Sequence, residues 1–118
     1  MEPLAVGDVV LVPFPFSDMS RSKLRPAIVL ASVQHNDWIL CQVTSNAYGD
    51  PNAVQITNAD FADGSLRITS FARPGKVFTA NRQLITRRVG SLKKDALLRV
   101  IDTLVVILQE SVRENLSE

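Results

Sequence analysis

Arg25 stands directly before Pro26 and the apolar run Ala27 to Ala31. A proline drives the residue before it into an extended backbone, and a run apolar on both faces reads as a buried strand, so Arg25 is set at a strand mouth. A guanidinium there is a permanently charged planar fork, matched to carboxylate or phosphate. A threonine hydroxyl beside it can donate to a non-bridging phosphate oxygen. Such groups recognise anions and steady developing charge; they do not make a strong nucleophile. RNA supplies its own, because the 2′-hydroxyl can attack the adjacent phosphate. A protein then has to align that attack, neutralise the phosphorane and help the 5′-oxygen leave. A base role for arginine needs unusual surroundings, since its pKa lies above about 12 in water. Charge stabilisation or acid assistance does not.

Other chemistries lack their residues. The chain has one histidine, His35, and one cysteine, Cys41, six positions apart across an expected turn, which is not a transition-metal ligand set. His35-Asn36-Asp37 is turn chemistry, so His35 is expected exposed rather than basic in function. Cys41 lies inside an apolar run and reads as a buried, inert thiol. Among the seven acidic residues of the first half, Asp60 and Asp63 form the one close pair, and they suit a loop cap better than a magnesium site. The five glycines stand apart, which leaves no phosphate-cradling loop. No metal and no cofactor is expected.

A composition 46% hydrophobic and 21% charged is that of an ordinary globular domain, and 118 residues suit one, spanning 1–118 with a polar tail from about residue 111. No export signal or membrane anchor is visible, which makes the cytoplasm the expected location. The formal charge is +1 but unevenly spread. Residues 1–64 carry three basic and seven acidic side chains, net −4, and residues 65–118 carry ten and five, net +5. That asymmetry points to an anion-facing surface.

The elements that must position these groups are mostly strands. Asp8 to Val12 is short and β-branched and runs into Pro13-Phe14-Pro15-Phe16, which predicts an edge strand ending in a kink. Ser17 to Leu24 is polar and reads as an exposed loop. Ala27 to Ala31 and Trp38 to Thr44 form an antiparallel pair, the second with Ile39, Cys41 and Val43 on one face and Trp38, Leu40, Gln42 and Thr44 on the other. Asn46 to Asn52 is a loop; Ala53 to Thr57 and Ser65 to Thr69 are short strands joined by Asn58 to Gly64; Arg73-Pro74-Gly75 is a turn; Val77 to Thr79 and Leu84 to Val89 follow as strands. About seven strands without a βαβ rhythm predict a mainly β (α+β) fold, a small barrel closed to remove its edges. One helix is expected from Ser91 onward, with an apolar stripe wide enough to pack on the barrel and on a second subunit.

The stretches Gly7-Asp8-Val9-Val10-Leu11-Val12, Leu24-Arg25-Pro26-Ala27-Ile28-Val29-Leu30 and Cys41-Gln42-Val43-Thr44-Ser45 resemble the successive motifs of MazF/PemK-type toxins of bacterial toxin–antitoxin modules. Ser70 to Leu84 and Arg88 to Leu92 resemble that family's later segment and the entry to its C-terminal helix, so the resemblance runs in order over roughly residues 6–110. It implies an SH3-like barrel that forms a homodimer, cleaves single-stranded mRNA at short sequences without metal, leaves a 2′,3′-cyclic phosphate and a 5′-hydroxyl, and is held inactive by an antitoxin protein. It also implies that Arg25 and Thr44 are catalytic, whereas Thr44 taken alone is an ordinary strand threonine. Residues 17–24 correspond to the loop bordering the RNA groove, here with Arg21 where glycine is frequent; Asn81 stands where aspartate is common.

Candidates for RNA contact are Ser20, Arg21 and Lys23 in that loop, and Gln42, Ser45, Asn46, Arg73, Lys76 and Arg82. Trp38 and Phe71 could stack on bases, although core packing is the commoner use. Two other functions fit a chain of this kind: a gyrase-binding toxin of the same barrel class, which needs no catalytic arginine, and a non-catalytic RNA-binding module served by the basic second half.

Overall fold

The computed structural model describes residues 3–15 and 22–116. Among these residues seven strands, β1 (Asp8–Pro15), β2 (Ser22–Ser32), β3 (Asp37–Thr44), β4 (Val54–Ile56), β5 (Phe61–Gly64), β6 (Ser70–Asn81) and β7 (Arg87–Leu92), precede one α-helix, α1 (Lys94–Leu116). All strand pairs are antiparallel, in the order β4-β6-β3-β2-β1-β7-β5. The sheet curls into a half-barrel, with Ile56 of β4 and Phe61 of β5, strands from its two ends, in one apolar cluster. This is the mainly β architecture with a C-terminal helix that the sequence predicts.

Period-two alternation divides the sheet into two apolar faces. Val9, Ile28, Cys41, Val43 and Ala72 lie on one, under Ala96 and Val100 of α1. Val10, Val12, Ala27, Val29, Leu40 and Ala80 lie on the other, rimmed by Trp38 and by Phe14 and Phe78, whose rings meet edge to face at 4.9 Å. The division of β3 is the one its sequence predicts. Each fully buried Val or Ile contributes about 1.5–3 kcal/mol through the area it removes from water.

Several boundaries differ from the sequence reading. β1 is not an edge strand over its whole length: Asp8 to Leu11 pairs with β7, and Val9 to Pro15 pairs with β2. The prolines occupy the part beyond Leu11, where β7 no longer pairs and the missing N–H breaks no ladder. Ser22 to Leu24 belongs to β2 rather than to a loop, because it pairs with Pro13 to Pro15. Arg73-Pro74-Gly75 does not end a strand. β6 runs through it, and residues 73–76 bulge out opposite Gln42, between the pairs Cys41–Val77 and Val43–Ala72.

The expected strand Ser65 to Thr69 is irregular, and the strand lies just before it, in the segment read as a joining loop. Phe61 is buried and anchors β5, and Gly64 turns the chain with φ of +71°. At the other end of the strand series, Gly90 to Leu92 stays in β7, so α1 starts at Lys94 rather than near Ser91. It then continues through the residues read as a polar tail, to Leu116. Its 23 residues span about 34 Å. One side packs on the sheet through Ala96, Leu97, Val100, Ile101 and Leu104, while Val106, Leu108, Val112 and Leu116 are exposed.

Candidate functional site

The ladder between β2 and β3 reaches Ala27 opposite Gln42. Arg25 lies two residues before Ala27 and Thr44 two residues after Gln42. Alternation therefore returns both to the face that the Ala27–Gln42 pair occupies, at the same end of the sheet. Arg25 pairs across β1 with Val12 and is half-buried; Lys23, on the same face, pairs with Phe14 and is exposed. β1 ends and β2 begins at this end. Ser20 and Arg21, between them in the sequence, lie outside the described residues.

Thr44 is 7% exposed. Its Oγ1 accepts the backbone N–H of Asn46 at 3.2 Å, which orients the hydroxyl and leaves its own proton to donate. Asn46 Oδ1 in turn accepts the N–H of Tyr48 at 2.8 Å. Ser45 and Asn46 are exposed beside Thr44, and Gln42 is half-buried facing the bulge of β6. From that bulge Arg73 donates through Nε to Asp50 Oδ2 at 3.0 Å, and its guanidinium stands 5.9 Å from the centre of the Tyr48 ring. The N–H of Asn52, followed by Arg73, holds the Asp50 carboxyl below its ordinary range. Lys76 is exposed next to this pair and adds to the same effect. One end of the sheet thus gathers Lys23, Arg25, Gln42, Thr44, Ser45, Asn46, Arg73 and Lys76.

Arg82 approaches from another direction. It follows Asn81, which pairs with Asp37 at the start of β3, and its turn crosses to β1, where the Thr86 N–H donates to the Leu11 carbonyl at 2.9 Å, one residue before the Val12–Arg25 pair. Its Nη1 donates to the Ile85 carbonyl at 3.1 Å, closing the turn after β6. Asn81 serves the start of β3. Its amide donates to the His35 carbonyl at 3.1 Å and to Asp37 Oδ1 at 2.9 Å, so the asparagine holds a turn. His35 is exposed there, with a left-handed φ of 63°.

Several other titratable groups are committed elsewhere. Burial pushes the Cys41 thiol up to about 12, which keeps it protonated and inert. Burial works against ionisation of Asp60, but the Thr57 N–H and Arg99 outweigh it and hold that carboxyl below its ordinary range. It caps the short turn Asn58–Asp60. Asp63 takes two bonds of 2.9 Å from Arg88, whose Nε reaches buried Asp8 at 3.1 Å. Among the described residues no three His, Cys, Asp or Glu side chains converge, and no helix is long and apolar enough to cross a membrane.

Two participants escaped the sequence reading, Tyr48 and Asp50. Gly49 and Asp50-Pro51 mark their segment as a loop, but the contact between Asp50 and Arg73 joins residues far apart in sequence. Only the bulge in β6 creates it.

The family model for the PemK-like, MazF-like toxin of type II toxin–antitoxin systems matches residues 5–108. Among solved structures, the fold is similar to an endoribonuclease in complex with its cognate antitoxin from a mycobacterial species, at 12% identity and a TM-score of 0.69, covering 92% of this chain and 96% of that one. It is also similar to a MazE–MazF structure from Deinococcus radiodurans, at 22% identity and a TM-score of 0.69, covering 88% and 94%. A third likeness is to the Mycobacterium tuberculosis toxin MazF-mt6, at 12% identity and a TM-score of 0.61, covering 85% and 96%. No curated protein sequence matches the chain.

Proposed function

Because the chain belongs to the PemK-like, MazF-like toxin family of type II toxin–antitoxin systems, we propose that it is a sequence-specific, metal-independent endoribonuclease acting on single-stranded mRNA. The observation that carries this reading is the placement of Arg25 and Thr44, each two residues beyond the facing pair Ala27 and Gln42, on one face of the sheet. The similar solved structures described as endoribonucleases support the activity.

The reaction fits these groups. The 2′-oxygen of one nucleotide attacks its own 3′-phosphate, and the bond from phosphorus to the 5′-oxygen of the next nucleotide breaks. The 2′-hydroxyl loses its proton and the departing 5′-oxygen gains one, giving a 2′,3′-cyclic phosphate and a 5′-hydroxyl. Arg25 offsets the charge that builds on the phosphorane, in a half-buried setting where a fixed cation acts more strongly than in water. The Thr44 hydroxyl donates to a non-bridging oxygen. Lys23, Gln42, Ser45, Asn46 and Lys76 surround the path of the strand, with Ser20 and Arg21 contributing from residues 16–21. Arg73 acts through Asp50 and Tyr48, and Arg82, in the turn that crosses to β1, borders the site.

The partners follow from the same reading. A cognate antitoxin protein holds the toxin inactive in the cytoplasm, as the complexes among the similar structures support. The exposed apolar side of α1, with Val106, Leu108, Val112 and Leu116, is the surface by which two copies form a homodimer.

The test is cleavage of single-stranded RNA by the purified full chain in EDTA. Wild type cuts, leaving cyclic-phosphate ends, and Arg25→Ala loses about 10²-fold or more in rate while its circular dichroism and melting temperature are retained. A gyrase-binding toxin needs no Arg25, so growth inhibition that survives Arg25→Ala selects that reading instead.

A further inference from the structure

Tyr48 is the one exposed aromatic among the described residues, at 70%. The aromatics singled out from sequence are otherwise occupied: Trp38 packs against the second apolar cluster, and Phe71 is half-buried in β6 opposite Thr44. Tyr48 also holds a left-handed backbone, with φ of 53°, which a bulky side chain adopts at a cost and which burial does not repay here. The conformation is locked from the site itself. Thr44 Oγ1 accepts the N–H of Asn46, and Asn46 Oδ1 accepts the N–H of Tyr48. The ring is steadied on one side by the Arg73 guanidinium at 5.9 Å, itself fixed by Asp50. Its exposure leaves the opposite side to solvent.

We propose that Tyr48 is the platform of a nucleobase subsite, on which a base of the bound RNA stacks against the ring face turned away from Arg73. The inference rests on the reading of Arg25 and Thr44 as the cleavage site. Tyr48 lies four positions after Thr44, a span of at most about 14 Å, so the stacked base lies within a few nucleotides of the reacting phosphate. Stacking suits an unpaired strand because every base presents a π-face, and a ring held in place loses little freedom when the base arrives. A cation behind the ring adds attraction for the phosphates on either side of that base. The subsite thus selects single strands over duplex and contributes to the choice of cleavage position.

Three variants of the full chain test it: Tyr48→Ala, Tyr48→Leu and Tyr48→Phe. In cleavage of an unstructured RNA, Tyr48→Ala raises KM about tenfold with kcat little changed, and Tyr48→Phe retains wild-type KM because the ring is kept. Tyr48→Leu behaves as Tyr48→Ala. Sequencing of the 5′-hydroxyl ends shows a changed cleavage profile in the alanine and leucine variants. Fluorescence anisotropy with a labelled single-stranded RNA in the Arg25→Ala background reads the same loss of affinity without requiring cleavage. The subsite is rejected if Tyr48→Ala binds and cuts as wild type does, or if Tyr48→Leu restores wild-type affinity, since packing and not stacking would then explain the ring. A wild type that binds RNA through Tyr48 but cuts none overturns the nuclease reading and leaves the subsite standing.

Discussion

Thr44 accepts the backbone N–H of Asn46 through Oγ1, and by the β2–β3 register it stands on the face and at the sheet end that carry Arg25. One hydroxyl is therefore fixed as an acceptor toward its own loop while its proton points elsewhere. Replacement by valine keeps the shape and removes both functions; replacement by serine keeps both. In single-turnover cleavage, Thr44→Val is expected to lower the rate about 10²-fold, the usual cost of removing one preorganised donor, while Thr44→Ser stays within about tenfold. Equal rates for Thr44→Val and wild type would remove Thr44 from the chemistry and leave it a loop cap.

The face carrying Arg25 and Thr44 was legible in the sequence because alternation in Trp38 to Thr44 is a local pattern, and a proline after Arg25 is a local constraint. What depends on pairing between distant strands was not. Arg73-Pro74-Gly75 has the composition of a turn, yet β3 pairs with Ala72 before it and Val77 after it and so holds it in one strand as a bulge. That bulge delivers Arg73 to Asp50 and so creates the setting of Tyr48. Phe61-Ala62-Asp63-Gly64 likewise looks like a loop, and becomes a strand because Phe61 fills the core and Gly64 fits against β7. The surroundings of Arg82 depend on distant pairing too, since the turn after β6 crosses to β1, where the Thr86 N–H meets the Leu11 carbonyl.

The Asp50–Arg73 pair gives a pH signature with a definite sign. Asp50 has a folded pKa below its ordinary 3.8, so it binds its proton less readily in the folded state than in the unfolded chain. Its contribution is fully present above about pH 4 and is lost as pH falls through the folded value. Asp50→Asn keeps an oxygen for the Asn52 N–H but abolishes the charge. The variant should melt below wild type at neutral pH, with the gap closing on acidification below about pH 4. Melting temperatures from about pH 2.5 to 7 read this directly, and a gap that widened on acidification would have the wrong sign for a stabilising carboxylate.

Three glycines allow backbone conformation to be separated from steric fit. Gly49 has φ of +71° with nothing within 4 Å of an added Cβ, so Gly49→Ala costs only the left-handed backbone, about 1 kcal/mol. Gly75 has neither constraint, and Gly75→Ala should be neutral within about 0.5 kcal/mol. Gly64 has both: φ is again +71°, and a Cβ would sit 2.2 Å from the Val89 carbonyl oxygen and 2.5 Å from the Gly90 Cα. Neither of those is the free end of a flexible side chain, so β5 and β7 must separate to admit it. Gly64→Ala should then cost at least about 2 kcal/mol, lowering the melting temperature by roughly 10 °C for a domain of this size. The order Gly75, Gly49, Gly64 in urea midpoints is the prediction. If Gly64→Ala costs no more than Gly49→Ala, the close approach of β5 to β7 does not restrict this position, and only the turn of the backbone does.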